Sequence, residues 1–226
     1  MVFPWKLVLF DLDGTLVDSA ADIAEAVNRT LDELGHDRED EAMVRSWIGL
    51  GARVLLDSAL RHAGSRASVE ETLPRFMAHY EACLLLSARL YPGTTETLAA
   101  LAEAGVAVSM ATNKPERMAR VLADAMGIGR FFAHIVGGDT LAERKPSAMP
   151  LLHLAALHGV AARDALMVGD SEADAGAARA AGMDLVLLRH GYPRDFDLDR
   201  AGAVAVLDDL GGLPLLQLGR DQFAGL

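Results

Sequence analysis

The fold of this chain is decided by Lys6-Leu7-Val8-Leu9-Phe10 and the residues that follow it, Asp11-Leu12-Asp13-Gly14-Thr15-Leu16. The apolar run has few turn formers and predicts a short, buried, parallel β-strand. Two carboxylates stand where that strand ends, and Gly14 turns the chain just after them. Ligands bind at this edge of open α/β sheets, so the stretch predicts a binding site as well as a strand.

Asp11 and Asp13 are two residues apart, so a regular strand would point both side chains to the same face. Paired anions repel each other unless a cation or a proton lies between them. We therefore expect a metal-assisted reaction in which Asp11 is the nucleophile.

The composition limits the classes of protein that the chain can belong to. Its 226 residues, 51% of them hydrophobic, suffice for one large domain, or for a medium domain with an insertion. A net charge of −11 disfavours binding to nucleic acid. The single cysteine, Cys83, fits a reducing cytoplasm, and no signal peptide or membrane-spanning run is predicted. We expect a cytoplasmic protein, as a monomer or a homodimer, that binds neither nucleic acid nor a membrane.

The order of predicted elements indicates an α/β fold with a helical insertion. Residues 17–88 show helical spacing only, with Ser19 as a candidate N-cap, and are expected to form a small all-helical cap domain inserted after the first strand. Strands and helices alternate from there on, which predicts a doubly wound parallel sheet with right-handed crossovers. The expected core therefore comprises residues 1–16 and 89–226.

Three further polar clusters follow predicted strands. Thr112-Asn113-Lys114-Pro115 suits a phosphate oxygen, or is simply the cap of a helix that begins with proline. Lys145 is either a solvated charge or a cation that neutralises a phosphoryl group and the nearby carboxylates. Asp170 and Asp174 can face one cleft, although Asp170 also suits the cap of the next helix. The expected meeting of all four clusters at one sheet edge favours the functional interpretation of each.

This set of motifs resembles that of the haloacid-dehalogenase-like hydrolases. The resemblance covers nearly the whole chain, with Asp11-Leu12-Asp13-Gly14-Thr15, Thr112, Lys145 and Gly169-Asp170-Ser171 followed by Asp174 in family order. Within the family the chain is most similar to phosphoglycolate phosphatases, on motifs that include Tyr91-Pro92-Gly93. The expected activity is therefore hydrolysis of a small phosphate monoester, 2-phosphoglycolate before others.

The resemblance also implies a role for each motif residue. Asp11 attacks phosphorus to form an aspartyl-phosphate, and Asp13 serves as acid and then as base. Mg²⁺ is bound by the Asp11 side chain, the Asp13 backbone carbonyl and Asp170. Asp174 orients the metal ligands. The phosphoryl oxygens are held by Thr112, Lys145 and the backbone amides of Leu12 and Asn113.

Substrate selection is expected to rest on the cap. The turn Gly49-Leu50-Gly51-Ala52-Arg53 offers flexible glycines and a cation, so Arg53 is a candidate partner of the substrate carboxylate. The competing interpretation leaves Arg53 solvated on a helix. Both interpretations agree with the sequence.

Three alternatives stay open. A phosphosugar mutase would use the same two aspartates, with slow hydrolysis of the phosphoenzyme and a cap that binds a sugar. A phosphatase or pyrophosphatase of broader specificity would share the core chemistry. The non-enzymatic alternative is a phospho-accepting receiver-like signalling domain, which also places Asp, Thr and Lys at strand ends but has no large cap insertion.

Overall fold

The computed structural model of the chain describes residues 3–217, and for residues 214–217 only the backbone. The strands are β1 (Leu7–Phe10), β2 (Val17–Asp18), β3 (Arg89–Leu90), β4 (Ala107–Ala111), β5 (Ile135–Val136), β6 (Ala165–Gly169), β7 (Asp184–Leu188) and β8 (Ala205–Leu207). The α-helices are α1 (Ala20–Glu33), α2 (Glu41–Arg45), α3 (Ala52–His62), α4 (Val69–Cys83), α5 (Thr94–Glu103), α6 (Glu116–Ala125), α7 (Met149–Leu157) and α8 (Glu172–Ala181). A 3₁₀ segment, Leu210–Gln217, follows β8.

Six strands form one parallel sheet in the order β5-β4-β1-β6-β7-β8. The chain starts in the middle at β1, winds outward through β4 and β5, and then returns to wind outward on the other side from β6. This arrangement confirms the predicted doubly wound α/β fold and places its topological switch point beside β1. All four residues of β1 are buried, as the apolar run predicted.

The register of the three central strands aligns their carboxyl ends. Phe10, the last residue of β1, is paired with Met110 of β4 and with Val168 of β6. Residues that follow these positions therefore emerge side by side at one edge of the sheet. This edge carries Asp11, Thr112 and Asp170.

The helices α1–α4 form the cap, which lies between β2 and β3. These two short strands pair antiparallel with each other and form the two connections between cap and core. A period-two pattern cannot show in strands of two residues, so the sequence did not indicate this ribbon. The predicted limits of the cap, 17–88, fall at the ribbon; residues 1–2 and 218–226 of the predicted core ranges lie outside the described part of the chain.

The cap connections are anchored by side chains that belong to the start of α1. The carboxylate of Asp22 accepts hydrogen bonds from the backbone amides of Ser87, at 2.7 Å, and Ala88, at 3.2 Å. The two crossings of the chain between cap and core are thereby tied to each other.

Within residues 3–217, no helix has both the length and the apolar character needed to cross a bilayer.

The expected capping role of Ser19 is wrong in one respect. Ser19 precedes α1, but its side chain makes no capping hydrogen bond. The free amides at this helix start donate instead to the hydroxyl of Tyr192, which accepts from Ser19 N at 3.0 Å and Ala20 N at 3.2 Å. The Ser19 hydroxyl is thereby free to donate to Asp13 Oδ1 at 2.5 Å.

Candidate active site

The turn after β1 fixes the position of Asp11. Its backbone amide donates to the carbonyl of Val168 at 3.0 Å, which continues the pairing with β6 for one more residue. The carbonyl of Leu12 then accepts from the amide of Leu16 at 2.9 Å and closes the turn. Gly14 has a φ of +89°, and a Cβ there would lie 2.3 Å from Asp170 Oδ2. Glycine is therefore required both for the backbone angle and for the close approach.

Lys145 links Asp11 to Asp174. Its ammonium nitrogen lies 2.9 Å from Asp11 Oδ1 and 2.6 Å from Asp174 Oδ1. The Lys145 side chain is only 2% exposed, so the solvated interpretation of this lysine does not describe its position. Burial opposes the charge of Lys145, but Asp11 and Asp174 outweigh this effect and raise its pKa. Lys145 is therefore a buried, charged partner of two carboxylates.

Asp170 and Asp174 lie beside Asp11, where β6 leads into α8. Asp170 Oδ1 accepts from the hydroxyl of Thr15 at 2.6 Å, and its Oδ2 accepts from the backbone amide of Tyr192 at 2.6 Å. Asp174 Oδ2 accepts from the Ser171 hydroxyl at 2.6 Å and, in a capping box at the start of α8, from the Ser171 backbone amide at 3.0 Å. Both oxygens of Asp174 are thus engaged, which suits a residue that orients others.

The residues present fit a divalent cation. Carboxylate oxygens of Asp11, Asp170 and Asp174 all lie within 4.8 Å of one another, and no described donor meets Asp11 Oδ1 with hydrogen-bond geometry. Burial raises the pKa of Asp11 to about 6 and raises that of Asp170 well above its ordinary value, with further contributions from neighbouring carboxylates. Lys145 compensates only part of this negative charge, and oxygen ligands of this kind are those that Mg²⁺ prefers.

A count of the site's charges leads to the same conclusion. Four carboxylates gather at this edge of the sheet: Asp11, Asp13, Asp170 and Asp174. Two ammonium groups, those of Lys114 and Lys145, lie among them. Two negative charges therefore remain when all six groups are ionised, and one divalent cation would balance them.

Lys114 is a functional candidate that the sequence analysis did not assign. Its ammonium nitrogen lies 2.9 Å from Asp13 Oδ1 and 2.6 Å from the hydroxyl oxygen of Tyr80, which comes from α4 of the cap. The Lys114 side chain has no exposed surface. In the sequence, the only signal for a role of Lys114 is its position in the Thr112-Asn113-Lys114-Pro115 cluster. Its burial could not be predicted, because it depends on Tyr80, which lies 34 residues away in sequence.

Thr112 and Asn113 lie between the core and the cap, and both are buried. The side-chain amide of Asn113 donates to the carbonyl of Gly49 in the cap turn and to the carbonyl of Lys145, both at 2.9 Å. A Cβ at Gly51 would lie 3.4 Å from the carbonyl oxygen of Asn113. The cap turn therefore lies directly against the loop that follows β4.

A cleft opens between these elements. Its cavity volume is about 40 Å³. Its walls come from both cap and core and are formed by Asp11, Asp13, Ile23, Ile48, Gly49, Gly51, Ala52, Leu55, Tyr80, Thr112, Asn113, Lys114 and Pro115. Such a cleft suits a small molecule with anionic and apolar parts.

The structure does not bring Arg53 to this cleft. Its guanidinium pairs with Glu70 on the outer side of the cap, where the two side chains are 50% and 70% exposed. The glycines of the same turn do line the cleft, but the helix that begins at Ala52 points Arg53 away from it. The surface interpretation of Arg53 therefore describes its position, and its expected contact with substrate has no support in the structure.

The arrangement supplies the parts that a phosphoryl-transfer site requires. The Asp11 carboxylate, whose Oδ1 has no aligned donor, lines the cleft together with a second carboxylate, Asp13, that can exchange a proton. Asp11 also lies beside the buried cation Lys145 and beside Asp170 and Asp174, with which it forms a candidate metal site. The predicted roles of Asp13 as a backbone metal ligand and of the Leu12 and Asn113 amides as phosphate donors stay predictions.

Comparison with known proteins assigns the family. Residues 8–188 match the family described as haloacid dehalogenase-like hydrolase. The phosphoglycolate phosphatases of Pseudomonas putida and Rhodospirillum rubrum are each 43% identical to this chain over 92% of its length, and the match covers 78% and 89% of their lengths. A solved structure described as a predicted phosphoglycolate phosphatase from Haemophilus somnus is 33% identical, with a TM-score of 0.89 over 94% of this chain and 98% of that one. The chain belongs to the haloacid dehalogenase-like hydrolases.

Proposed function

We propose that this protein is a Mg²⁺-dependent phosphatase that hydrolyses 2-phosphoglycolate through an aspartyl-phosphate intermediate. The observation that carries the proposal is the position of Asp11. It lies at the switch point of the sheet, lines the cleft, and has Lys145 within 2.9 Å and Asp170 in the same acidic cluster. The relatives that share 43% identity with the chain are phosphoglycolate phosphatases, which supports the choice of substrate.

In the first step an oxygen of the Asp11 carboxylate attacks phosphorus in line with the ester oxygen. The phosphorus–oxygen bond of the ester breaks, and Asp13 gives the departing alkoxide its proton, so that glycolate leaves. In the second step Asp13 takes a proton from water, whose oxygen attacks phosphorus and releases phosphate from Asp11. The Ser19 hydroxyl donates a hydrogen bond to Asp13 Oδ1, which holds the Asp13 carboxylate at the cleft through both steps.

The charge that develops on the phosphoryl oxygens needs stabilisation by fixed groups. Lys145 supplies a buried positive charge beside Asp11, and Thr112 supplies a hydroxyl at the end of β4. Asp11 and Asp170, with the Asp13 carbonyl, would hold Mg²⁺, which when bound supplies Lewis-acid stabilisation of the phosphoryl group. Asp174 keeps Lys145 and the start of α8 in place.

A substrate panel tests the proposal and separates it from its alternatives. Phosphate release is measured from 2-phosphoglycolate, phosphosugars, nucleotides and pyrophosphate. We expect the highest kcat/KM with 2-phosphoglycolate. A sugar-phosphate isomer as the product, with little phosphate released, would identify a mutase. Comparable rates on several esters would identify a phosphatase of broad specificity, and phosphorylation without turnover would identify a receiver-like domain.

Removal of divalent metal is expected to lower phosphate release by at least about 10³-fold, because the metal contributes several kcal/mol to stabilisation of the transition state. The measurement is kcat in EDTA, followed by addition of excess Mg²⁺. Mg²⁺ should restore the rate, and Ca²⁺ should not, because its larger and more flexible coordination does not match an octahedral site. Full activity in the chelator would contradict the assignment of the acidic cluster as a metal site.

Arg53→Ala is expected to change KM for 2-phosphoglycolate by less than about twofold, because Arg53 pairs with Glu70 in solvent, outside the cleft, where an exposed ion pair contributes little. Steady-state kinetics with the variant and the unmodified protein check this. A tenfold rise in KM at unchanged kcat would return Arg53 to the substrate site.

A further inference from the structure

Lys114 and Tyr80 offer hydrogen-bond donors that the proposed chemistry at phosphorus does not use. An ammonium group has three N–H donors. The ammonium nitrogen of Lys114 lies 2.9 Å and 3.2 Å from the two carboxylate oxygens of Asp13, which one bifurcated N–H serves, and a second N–H points to the hydroxyl oxygen of Tyr80. The third N–H is then left for another acceptor. Because the Tyr80 oxygen accepts from Lys114, the hydroxyl hydrogen of Tyr80 is left to donate elsewhere. Two donors, one from the core and one from the cap, are therefore available at the same wall of the cleft.

Lys114 is also the one cation among the described residues that line the cleft. Its side chain has no exposed surface, and its ammonium nitrogen lies 2.9 Å from the Asp13 carboxylate and 2.6 Å from the Tyr80 hydroxyl oxygen. The lining also includes the apolar side chains of Ile23, Ile48 and Leu55. With Lys145 engaged beside Asp11, a second anionic group in the cleft would find its charge partner at Lys114.

The position of Asp13 connects this pair to the substrate. In the proposed mechanism Asp13 gives its proton to the ester oxygen, so that oxygen lies against the Asp13 carboxylate. The carboxylate of 2-phosphoglycolate is separated from the ester oxygen by a single methylene group. A cation that contacts Asp13 therefore lies within reach of the substrate carboxylate when the phosphoryl group is at Asp11.

We propose that Lys114 and Tyr80 bind the carboxylate of the substrate. They thereby select alkyl phosphates in which a carboxylate is bonded to the carbon that carries the ester oxygen. The proposal rests on the proposed function. A carboxylate has two oxygens, which match one ammonium donor and one hydroxyl donor. Because Tyr80 lies on α4 and Lys114 follows β4, the bound acid would join the cap to the core, which Arg53 on the outer cap surface cannot do.

The test compares 2-phosphoglycolate with 2-phosphoglycolamide, in which a neutral amide replaces the carboxylate. The unmodified protein is expected to prefer the acid in kcat/KM by about 100-fold or more, from charge-assisted hydrogen bonds. Lys114→Met should reduce that preference to less than about 5-fold, and Tyr80→Phe should reduce it by about 5- to 10-fold. Arg61→Met, an exposed cap cation paired with Asp57, is the matched control and should keep the full preference.

The ratio of the two substrates separates recognition from a structural role. Loss of the Lys114 contact with Asp13 affects both substrates alike, so a merely structural lysine would lower both rates and leave the preference intact. That outcome would overturn the proposal. An unmodified protein that hydrolyses other phosphate esters but not 2-phosphoglycolate would instead overturn the proposed substrate.

A measurement on the unmodified protein covers the case in which the variants do not fold. Glycolate and glycolamide are compared as inhibitors of phosphate release. Inhibition by glycolate at a concentration at least about tenfold lower than that of glycolamide supports a carboxylate site. Equal inhibition by the two would overturn it.

Discussion

Asp11→Asn is expected to lower phosphate release by at least about 10⁴-fold, because the amide cannot attack phosphorus and the covalent step is lost. The substitution keeps the size and shape of the side chain. The measurement is kcat with 2-phosphoglycolate at saturating Mg²⁺, together with an acid quench of the unmodified protein to trap phosphate on Asp11. Residual activity above about 1% would contradict the covalent mechanism.

Stability serves as the control for this variant, since a loss of activity through unfolding would be uninformative. Burial raises the pKa of Asp11 to about 6, so the folded, metal-free protein retains a proton there that the unfolded chain has already lost. The free energy of unfolding of the unmodified protein therefore falls as the pH rises from about 4 to about 6. Asp11→Asn removes this part of the decline, leaves the part due to Asp170, and should show a Tm at pH 7 no lower than that of the unmodified protein.

The sheet and its site edge were predictable because each depends on local pattern. The apolar run before Asp11 marked the central strand, and the capping residues after Gly169 marked the start of helix α8. Carboxyl ends of parallel strands share one edge, so the approach of Asp11, Thr112 and Asp170 follows from topology alone. The two-residue strands β2 and β3 have no such local pattern and were missed.

What the sequence could not indicate is which polar side chains meet across the cap boundary. Lys114 precedes a proline and has the composition of a solvated loop residue, yet Tyr80 covers it and Asp13 balances its charge. Arg53 follows a glycine turn that does line the cleft, but the phase of α3 turns it outward to Glu70. In both cases the outcome depends on how a helix is rotated about its axis, which adjacent residues do not determine.

Lys145→Met is expected to lower the free energy of unfolding of the metal-free protein by about 3–5 kcal/mol, because it leaves the buried carboxylates of Asp11 and Asp174 without their shared cation. For a chain of this size, at about 2–4 °C per kcal/mol, the corresponding fall in Tm is about 6–20 °C. Lys6→Met is the matched control: Lys6 also pairs with an aspartate, Asp164, but its side chain is 73% exposed. Its loss should cost at most about 1 kcal/mol.

The pH dependence distinguishes an unpaired charge from a simple loss of packing. In the unmodified protein the ammonium of Lys145 opposes the effect of burial on the pKa of Asp11. In the Lys145→Met variant that pKa should therefore rise further. The variant should therefore lose most stability above pH 7 and recover part of it as the pH falls toward 5, where Asp11 takes up a proton. Chemical denaturation of both lysine variants in EDTA, at pH 5 and pH 8, measures this. A deficit of the same size at both values would show that Lys145 acts through packing, and its assignment as the charge partner of Asp11 would then be wrong.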